Sequence, residues 1–250
     1  MEENFRGGWL PLDISTHGHE IDQLILYVHI LMFVLFIGWA IYLVYVLVKF
    51  RERPGHQADV SPKHFGLPKL LEVGIILVEV FLLVGMSIPA WSSYRGSQPP
   101  TEGAVVVRVI AEQFAWNFHY PGKDGKFGRT DIKLMDGTNP VGLDREDPDA
   151  KDDITTINNF NIPVNTPVIA NIRSKDVIHS FSIPVMRVKQ DAIPGMEIPI
   201  WFQATQTGDH EISCAQLCGN LHTTMKGMFH VLSSADYQAW VEEELKALAE

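Results

Sequence analysis

The sequence predicts a two-helix transmembrane hairpin followed by an all-β domain and a C-terminal helix. Two long apolar stretches near the N-terminus predict the hairpin. After about Gly96, short β-branched runs separated by Gly, Pro and Asn predict a β-sandwich or barrel. We therefore divide the 250 residues into six parts. They are an external N-terminal segment (1–23), a first span (24–48), a cytoplasmic loop (49–69), a second span (70–91), the β domain (92–233) and the C-terminal helix (234–250).

Both apolar stretches are long enough to cross a bilayer. Leu24–Val48 has no Asp, Glu, Lys or Arg and one histidine, His29, and its 25 residues reach about 37 Å as a helix. Leu70–Ala90 is a second span, interrupted by Glu72 and Glu79. These two glutamates are seven residues apart and share one helix face. The alternative for the second stretch is a buried helix of a soluble protein.

The charges next to the spans predict their orientation. The segment between the spans has five basic residues, at positions 49, 51, 53, 63 and 69, whereas the segment before Leu24 has only Arg6. The positive-inside rule therefore places the loop in the cytoplasm and both termini outside, in the periplasm or its equivalent.

The strands of the external domain and its last helix follow from local patterns. Strands are predicted at Val105–Ile110, Val168–Arg173, Glu197–Phe202, Glu211–Ser213 and Gly227–Leu232. In the C-terminal helix, Ser234 is the predicted N-cap and Asp236 lies in the first turn.

One twelve-residue segment, Cys214–Met225, contains the two cysteines of the chain together with a histidine and a methionine. A disulfide is the common fate of two cysteines in an oxidising compartment. Zinc is a second alternative, although methionine is a poor zinc ligand. Two thiolates, an imidazole and a thioether are the donors that suit copper. The regular spacing of Cys214, Cys218, His222 and Met225 favours copper, because a tight loop can present all four to one volume.

A further ligand is available upstream. His179 lies in an apolar, strand-like stretch that ends at Pro184, where the alternative is a core histidine bonded to a carbonyl. The following segment, 189–195, ends in Pro-Gly and is predicted to be a turn.

These motifs resemble subunit II of haem–copper cytochrome c oxidase. The resemblance rests on Asp-Val-Ile-His-Ser-Phe at 176–181, Lys-Gln-Asp-Ala-Ile-Pro-Gly at 189–195 and Cys-x3-Cys-x3-His-x2-Met at 214–225, in that order. It implies that the β domain is a cupredoxin fold, a Greek-key β-barrel or sandwich. It also implies a dinuclear copper A centre whose ligands are His179, Cys214, the Gln216 backbone carbonyl, Cys218, His222 and Met225.

The resemblance implies the partners as well. Subunit II accepts electrons from a c-type cytochrome or a similar small carrier and passes them to haem in subunit I. There oxygen is reduced to water, coupled to proton pumping, in a complex with other subunits. An acidic surface on this chain would attract a basic partner of this kind. Residues 92–250 carry 14 basic and 21 acidic residues, and six of the acids lie within Asp144–Asp153. A solvated loop or a calcium ion are the alternatives for that run, and no nucleic-acid partner is expected.

Two positions depart from the family pattern. The residue between the cysteines is commonly glutamate and helps to bind magnesium or manganese, whereas this chain has Gln216, whose amide is a weaker ligand for a hard cation. We therefore do not predict that second metal. The aromatic motif Gln-Trp-x-Trp is Gln113-Phe114-Ala115-Trp116 here. Phe114 takes the place of the tryptophan at which electrons enter, so Phe114 or Trp116 is expected between donor and copper; the alternative is a strand packed on the copper loop.

Glu72 corresponds to a family glutamate at the mouth of a proton channel in subunit I, and its alternative is an interfacial carboxylate that reaches water. Three alternative functions differ from this one in identifiable features. A quinol oxidase subunit lacks the copper ligands that this chain has. The copper subunit of a related reductase, such as a nitric oxide reductase, would differ in its partner subunit. A membrane-anchored copper chaperone needs neither Glu72 nor an acidic docking face.

Overall fold

A computed structural model describes residues 10–55, 57, 66–96 and 99–248. The first nine residues and most of the predicted cytoplasmic loop, including Lys63, lie outside the described residues. The chain divides into two compact units, residues 20–96 and residues 1–19 with 97–250.

The helical unit consists of two helices that are long and apolar enough to cross a membrane. The first, α1, is Gly18–Lys49. The second begins as α2 (Gly66–Val80), passes through a π-helical segment (Phe81–Ser87) and ends as α3 (Ile88–Arg95). Large apolar side chains on both helices are exposed, as they are in a helix that faces lipid or another subunit.

The second unit is a sandwich of two five-stranded sheets. The strands are β1 Val105–Glu112, β2 Ala115–Tyr120, β3 Ile154–Ile157, β4 Asn159–Pro163, β5 Pro167–Ser174, β6 His179–Ile183, β7 Val188–Ala192, β8 Ile198–Gln203, β9 Gly208–Cys214 and β10 Lys226–Leu232. One sheet has the order β3-β2-β1-β5-β8 and the other β4-β10-β9-β6-β7. The last helix, α4, is Ser234–Leu248. The predicted fold class is confirmed.

Each sheet combines antiparallel neighbours with one parallel pair. β1 runs parallel to β5, and β4 runs parallel to β10, whereas the other neighbours are antiparallel. Parallel neighbours cannot be joined by a hairpin, so the chain crosses between the sheets and closes a sandwich.

Aromatic rings fill the space between the sheets. Phe118 and Phe160 stack with ring centroids 4.6 Å apart, and Phe181 and Phe229 contact Phe160 at 6.1 and 5.6 Å. All four rings are fully buried, as is Trp116. Burying side chains of this size is the main source of stability for such a domain. This core packs against the sheet whose strands β6 and β9 carry the predicted ligands His179 and Cys214.

The chain segment before α1 is attached to the β domain. Ile14 is buried, its N–H donates to the Val185 carbonyl, and its carbonyl accepts from the Thr205 N–H. The Arg187 guanidinium donates to the carbonyl of Pro11 at 2.7 Å. No local pattern in the sequence predicts this attachment, because the bonded residues are far apart in the chain, as in the 176 positions between Pro11 and Arg187.

Two local predictions were wrong. Residues 188–192 are strand β7 rather than part of a turn, and only Pro194-Gly195 forms the reversal that follows. The cap of α4 is Ser233 rather than Ser234, because the Ser233 hydroxyl accepts the Asp236 N–H at 3.1 Å. Asp236 does lie in the first turn, as predicted.

Candidate metal centre

The cysteine segment is the loop of a β-hairpin. β9 ends at Cys214, β10 begins at Lys226, and the Cys214 N–H donates to the Met225 carbonyl across the base of the loop. The two strands are paired along their whole length. The hairpin therefore sets where the loop starts and ends and leaves its interior free to present side chains.

The two thiols face each other without a bond. Their sulfur atoms are 3.8 Å apart and both cysteines are free, whereas a disulfide joins its sulfurs at about 2.05 Å. Both side chains are buried. Burial, together with the neighbouring Cys214, raises the pKa of Cys218 to about 11. A metal that binds here must therefore displace a proton from the Cys218 thiol.

The other predicted ligands of the loop lie around this sulfur pair. The Gln216 carbonyl oxygen is 3.1 Å from Cys214 Sγ. His222 Nδ1 and Met225 Sδ are 3.7 and 3.8 Å from Cys218 Sγ. Met225 is buried, whereas His222 is half-buried. The loop thus brings five of the six predicted ligand groups together.

His179, the first residue of β6, completes the set from a different strand. Its Nδ1 is 4.0 Å from Cys214 Sγ, and its ring is fully buried. Its ring nitrogen, the Cys214 sulfur and the Cys218 sulfur all lie within 4.8 Å of one another. β6 and β9 are antiparallel neighbours, with Phe181 opposite Cys214, so this proximity is fixed by the sheet register.

Asp176 orients His179. Its Oδ1 is 2.9 Å from His179 Nε2, which leaves Nδ1 as the nitrogen that faces the thiols. A carboxylate on the far nitrogen of a ligand histidine fixes the tautomer and ring orientation. Burial opposes the charge on Asp176, but hydrogen bonds from His179 and the backbone N–H groups of Gln113 and Val177 hold its pKa below the usual value.

Gln113 contacts both parts of the site. Its backbone N–H donates to Asp176 Oδ2 at 2.7 Å, and its side-chain amide donates to the Cys218 carbonyl at 2.6 Å. Sequence reasoning missed Asp176 and Gln113 as functional residues. Asp176 had a signal, since it lies three residues before a candidate ligand, whereas the contact of Gln113 spans 105 positions.

The two aromatic residues expected near the copper occupy different environments. Trp116 is fully buried, and its ring meets His179 edge-on with centroids 6.2 Å apart. Phe114 is partly exposed and lies beside Gly219 of the cysteine loop, Cys214–Met225. The structure thus has Phe114 at the surface and Trp116 in the interior.

The remaining predicted residues belong to other elements of the chain. Glu72 is exposed on α2 of the helical unit. Within the acidic run, Asp144 pairs with Arg129, and Asp153 is fully buried against His119 at 2.6 Å. Asp153 therefore belongs to the interior and not to an acidic docking face.

The donor set fits copper. Two unbonded, buried thiols, two imidazole nitrogens, a thioether and a carbonyl converge, and soft sulfur with imidazole is the combination that copper prefers. A disulfide is excluded in this structure by the separation of the sulfurs. Structural zinc sites use Cys and His, so a zinc site would not account for the position of Met225 beside Cys218.

Comparisons with known proteins agree with this geometry. Residues 105–231 match the family described as cytochrome C oxidase subunit II, periplasmic domain. The alternative cytochrome c oxidase subunit 2 of Bradyrhizobium diazoefficiens is 32% identical, over 94% of this chain and 83% of the relative. Cytochrome c oxidase subunit 2 of Cereibacter sphaeroides is 28% identical, over 92% of this chain and 77% of the relative.

A solved structure is also similar. The periplasmic domain of cytochrome oxidase subunit II from Bradyrhizobium japonicum has 28% sequence identity and a TM-score of 0.45, and the match covers 61% of this chain and 99% of that one. The family match spans half of this chain, and the Bradyrhizobium diazoefficiens relative aligns along nearly all of it. The chain belongs to the cytochrome c oxidase subunit II family.

Proposed function

We propose that this chain is the subunit through which electrons enter a haem–copper oxidase, and that its six converging ligand groups hold a dinuclear copper A centre. The observation that carries the proposal is the convergence itself. Five side chains and one carbonyl, from two strands and one loop, meet around a pair of unbonded sulfurs 3.8 Å apart.

When bound, a copper pair of this kind takes up and releases one electron at a time. The protein's part is to hold the ligands still. Cys214 and His179 are fixed by the strands that carry them, and Asp176 fixes the His179 ring. Burial of both cysteines and Met225 excludes water from the sulfur side. Ligands that do not move on a change of charge keep the reorganisation small.

The setting of the domain follows from the two apolar helices and the charges next to them. The two helices support a role as the membrane anchor, and Lys49, Arg51 and Arg53, at and after the end of α1, support a cytoplasmic position for the connecting loop. The copper domain then lies in the periplasm of a bacterial inner membrane. Subunit I, with its haem groups, reduces oxygen to water and pumps protons. We expect electrons to leave the copper centre for subunit I by way of His222.

The donor is a c-type cytochrome or a similar small carrier that docks near Phe114. Phe114 supports this because it combines surface exposure with proximity to Gly219 of the copper loop, whereas Trp116 is buried against His179. Glu72 is proposed to receive protons at the cytoplasmic side of subunit I. No magnesium site is proposed at Gln216.

The decisive experiment measures copper in the purified full-length chain. We expect two copper ions per chain and the purple spectrum of a mixed-valence pair, and we expect Cys218→Ser to abolish it. Ser213→Ala, which removes a hydroxyl group from the residue next to Cys214, serves as the control. A colourless chain with one copper would instead indicate a chaperone or storage protein and would refute the electron-transfer role.

A further inference from the structure

Gln113 lies in the short turn between β1 and β2, and it touches both copper-ligand segments. Its side-chain N–H2 donates to the Cys218 carbonyl at 2.6 Å, and its backbone N–H donates to Asp176 at 2.7 Å. The carbonyl of Cys218 can only accept, so the amide group is the part of the side chain that faces it.

The contact with Cys218 extends to His222. The next residue, Gly219, accepts the His222 N–H through its carbonyl at 3.1 Å. Gln113 therefore holds the start of a short turn whose end carries a ligand histidine. Through Asp176, which bonds His179 at 2.9 Å, the backbone of Gln113 also supports the other histidine.

Gly219 makes this approach feasible. A Cβ at Gly219 would lie 2.8 Å from the Gln113 amide nitrogen and 3.0 Å from the Phe114 ring. Its φ of +139° is also a conformation that residues with a Cβ rarely adopt. The glycine thus leaves open the space that the β1–β2 turn fills against the copper loop.

We propose that Gln113 is a positioning residue that locks the copper loop onto the β1–β2 turn, so that Cys218 and His222 are held in place before metal arrives. The proposal rests on the copper function proposed above. It assigns separate roles to one residue: the side chain holds the half of the site formed by Cys218 and His222, and the backbone holds the His179 half. Only the first role is lost when the side chain is changed.

The first test uses the metal-free full-length chain in detergent and the neutral alkylating agent iodoacetamide, with each cysteine followed by mass spectrometry. In Gln113→Leu, and in Gln113→Glu, whose side chain is equally long but does not donate, iodoacetamide should alkylate Cys218 about fivefold faster than in the unchanged chain. This factor is the effect of one lost hydrogen bond. Cys214, held by strand β9, should change much less. Gln206→Leu, an exposed glutamine of the β8–β9 turn, is the matched control and should match the unchanged chain.

The second test measures copper retention by the same chains against a chelator. Loss of a supporting contact typically weakens metal binding about tenfold or more, and both Gln113 variants should show this relative to Gln206→Leu. Gly219→Ala should act in the same direction. Its effect should be smaller in a Gln113→Leu background, because the amide that the new methyl meets is then gone.

Two results would overturn the inference. Gln113 variants that match Gln206→Leu in both Cys218 alkylation and copper retention would show that the contact has no positioning role. Equal acceleration at Cys214 and Cys218 would show general loosening of the domain rather than release of one loop. If the unchanged chain held no copper pair, the proposed function would fail, whereas the alkylation test would still decide the role of Gln113.

Discussion

Replacing Asp176 by asparagine tests how far the copper site depends on one carboxylate. Oδ2 of Asp176 accepts the Gln113 N–H, and Oδ1 accepts both the Val177 N–H at 2.6 Å and His179 Nε2 at 2.9 Å. An amide has a single acceptor oxygen. Asp176→Asn therefore leaves at least one donor facing an NH2 group, whichever way the amide turns.

The expected size of the effect follows from these contacts. One lost hydrogen bond costs about 1 kcal/mol, and the side chain of Asp176 is 32% exposed, so water replaces part of the loss. We expect a loss of about 0.5 to 1 kcal/mol in the stability of the metal-free domain. Copper affinity should fall about 10- to 100-fold, the usual result of removing the partner of a ligand histidine.

The assay combines urea denaturation of the metal-free chain with copper competition against a chelator. Asp209→Asn is the matched control, because Asp209 also bonds a histidine, His230 at 2.6 Å, but at the opposite end of β9 from Cys214. Equal copper affinity in Asp176→Asn and Asp209→Asn would refute the claim that Asp176 orients His179.

Three further predictions concern electrons, protons and pH. Phe114→Ala should slow electron transfer from the donor more than it weakens copper binding, measured by rapid mixing of the assembled oxidase with reduced cytochrome c; an unchanged rate would remove Phe114 from the route. Glu72→Ala should slow proton-coupled turnover in the assembled oxidase and leave the copper spectrum intact, and normal turnover would exclude a role in proton uptake. Burial lowers the pKa of His119 from 6.5 despite the contact with Asp153, so the neutral ring is favoured in the folded state. Stability should therefore be full above about pH 6.5 and should fall as pH drops from there through the lowered folded value. Urea midpoints at about pH 7.5 and about pH 5 measure this fall in stability. His119→Gln should reduce the difference between the two midpoints, and an undiminished difference in the variant would refute the role of His119.

The sequence could predict that the candidate ligands meet, because most of them lie in one hairpin loop. Spacing within Cys214–Met225 determines which side chains can meet, and only the hairpin register is needed to bring them together. His179 required the family resemblance, since nothing local distinguishes it from a core histidine. The two membrane-length helices were visible for the same reason, as their apolar runs are continuous in the sequence.

Other features depend on contacts between distant segments. Gln113 and Cys218 are 105 residues apart. No local sequence pattern predicts that the β1–β2 turn lies against the loop Cys214–Met225. The buried pair His119 and Asp153 is similar, because Asp153 belongs to an acidic run that looks wholly exposed in the sequence. β7 was missed because it is an edge strand, where Lys189 and Asp191 face solvent and the apolar signal is weak.

The hairpin that closes the cysteine loop has a consequence for how this fold changes over evolution. Cys214 and Met225 are joined by a backbone hydrogen bond, and both side chains are buried in the same core as Phe160, Phe181 and Phe229. The exposed residues between them, Ala215–Leu217 included, can therefore be substituted while the sheet stays intact. Descendants of such a domain are free to change the outer residues of the loop, whereas a change at either of its buried ends also disturbs the interior of a folded subunit.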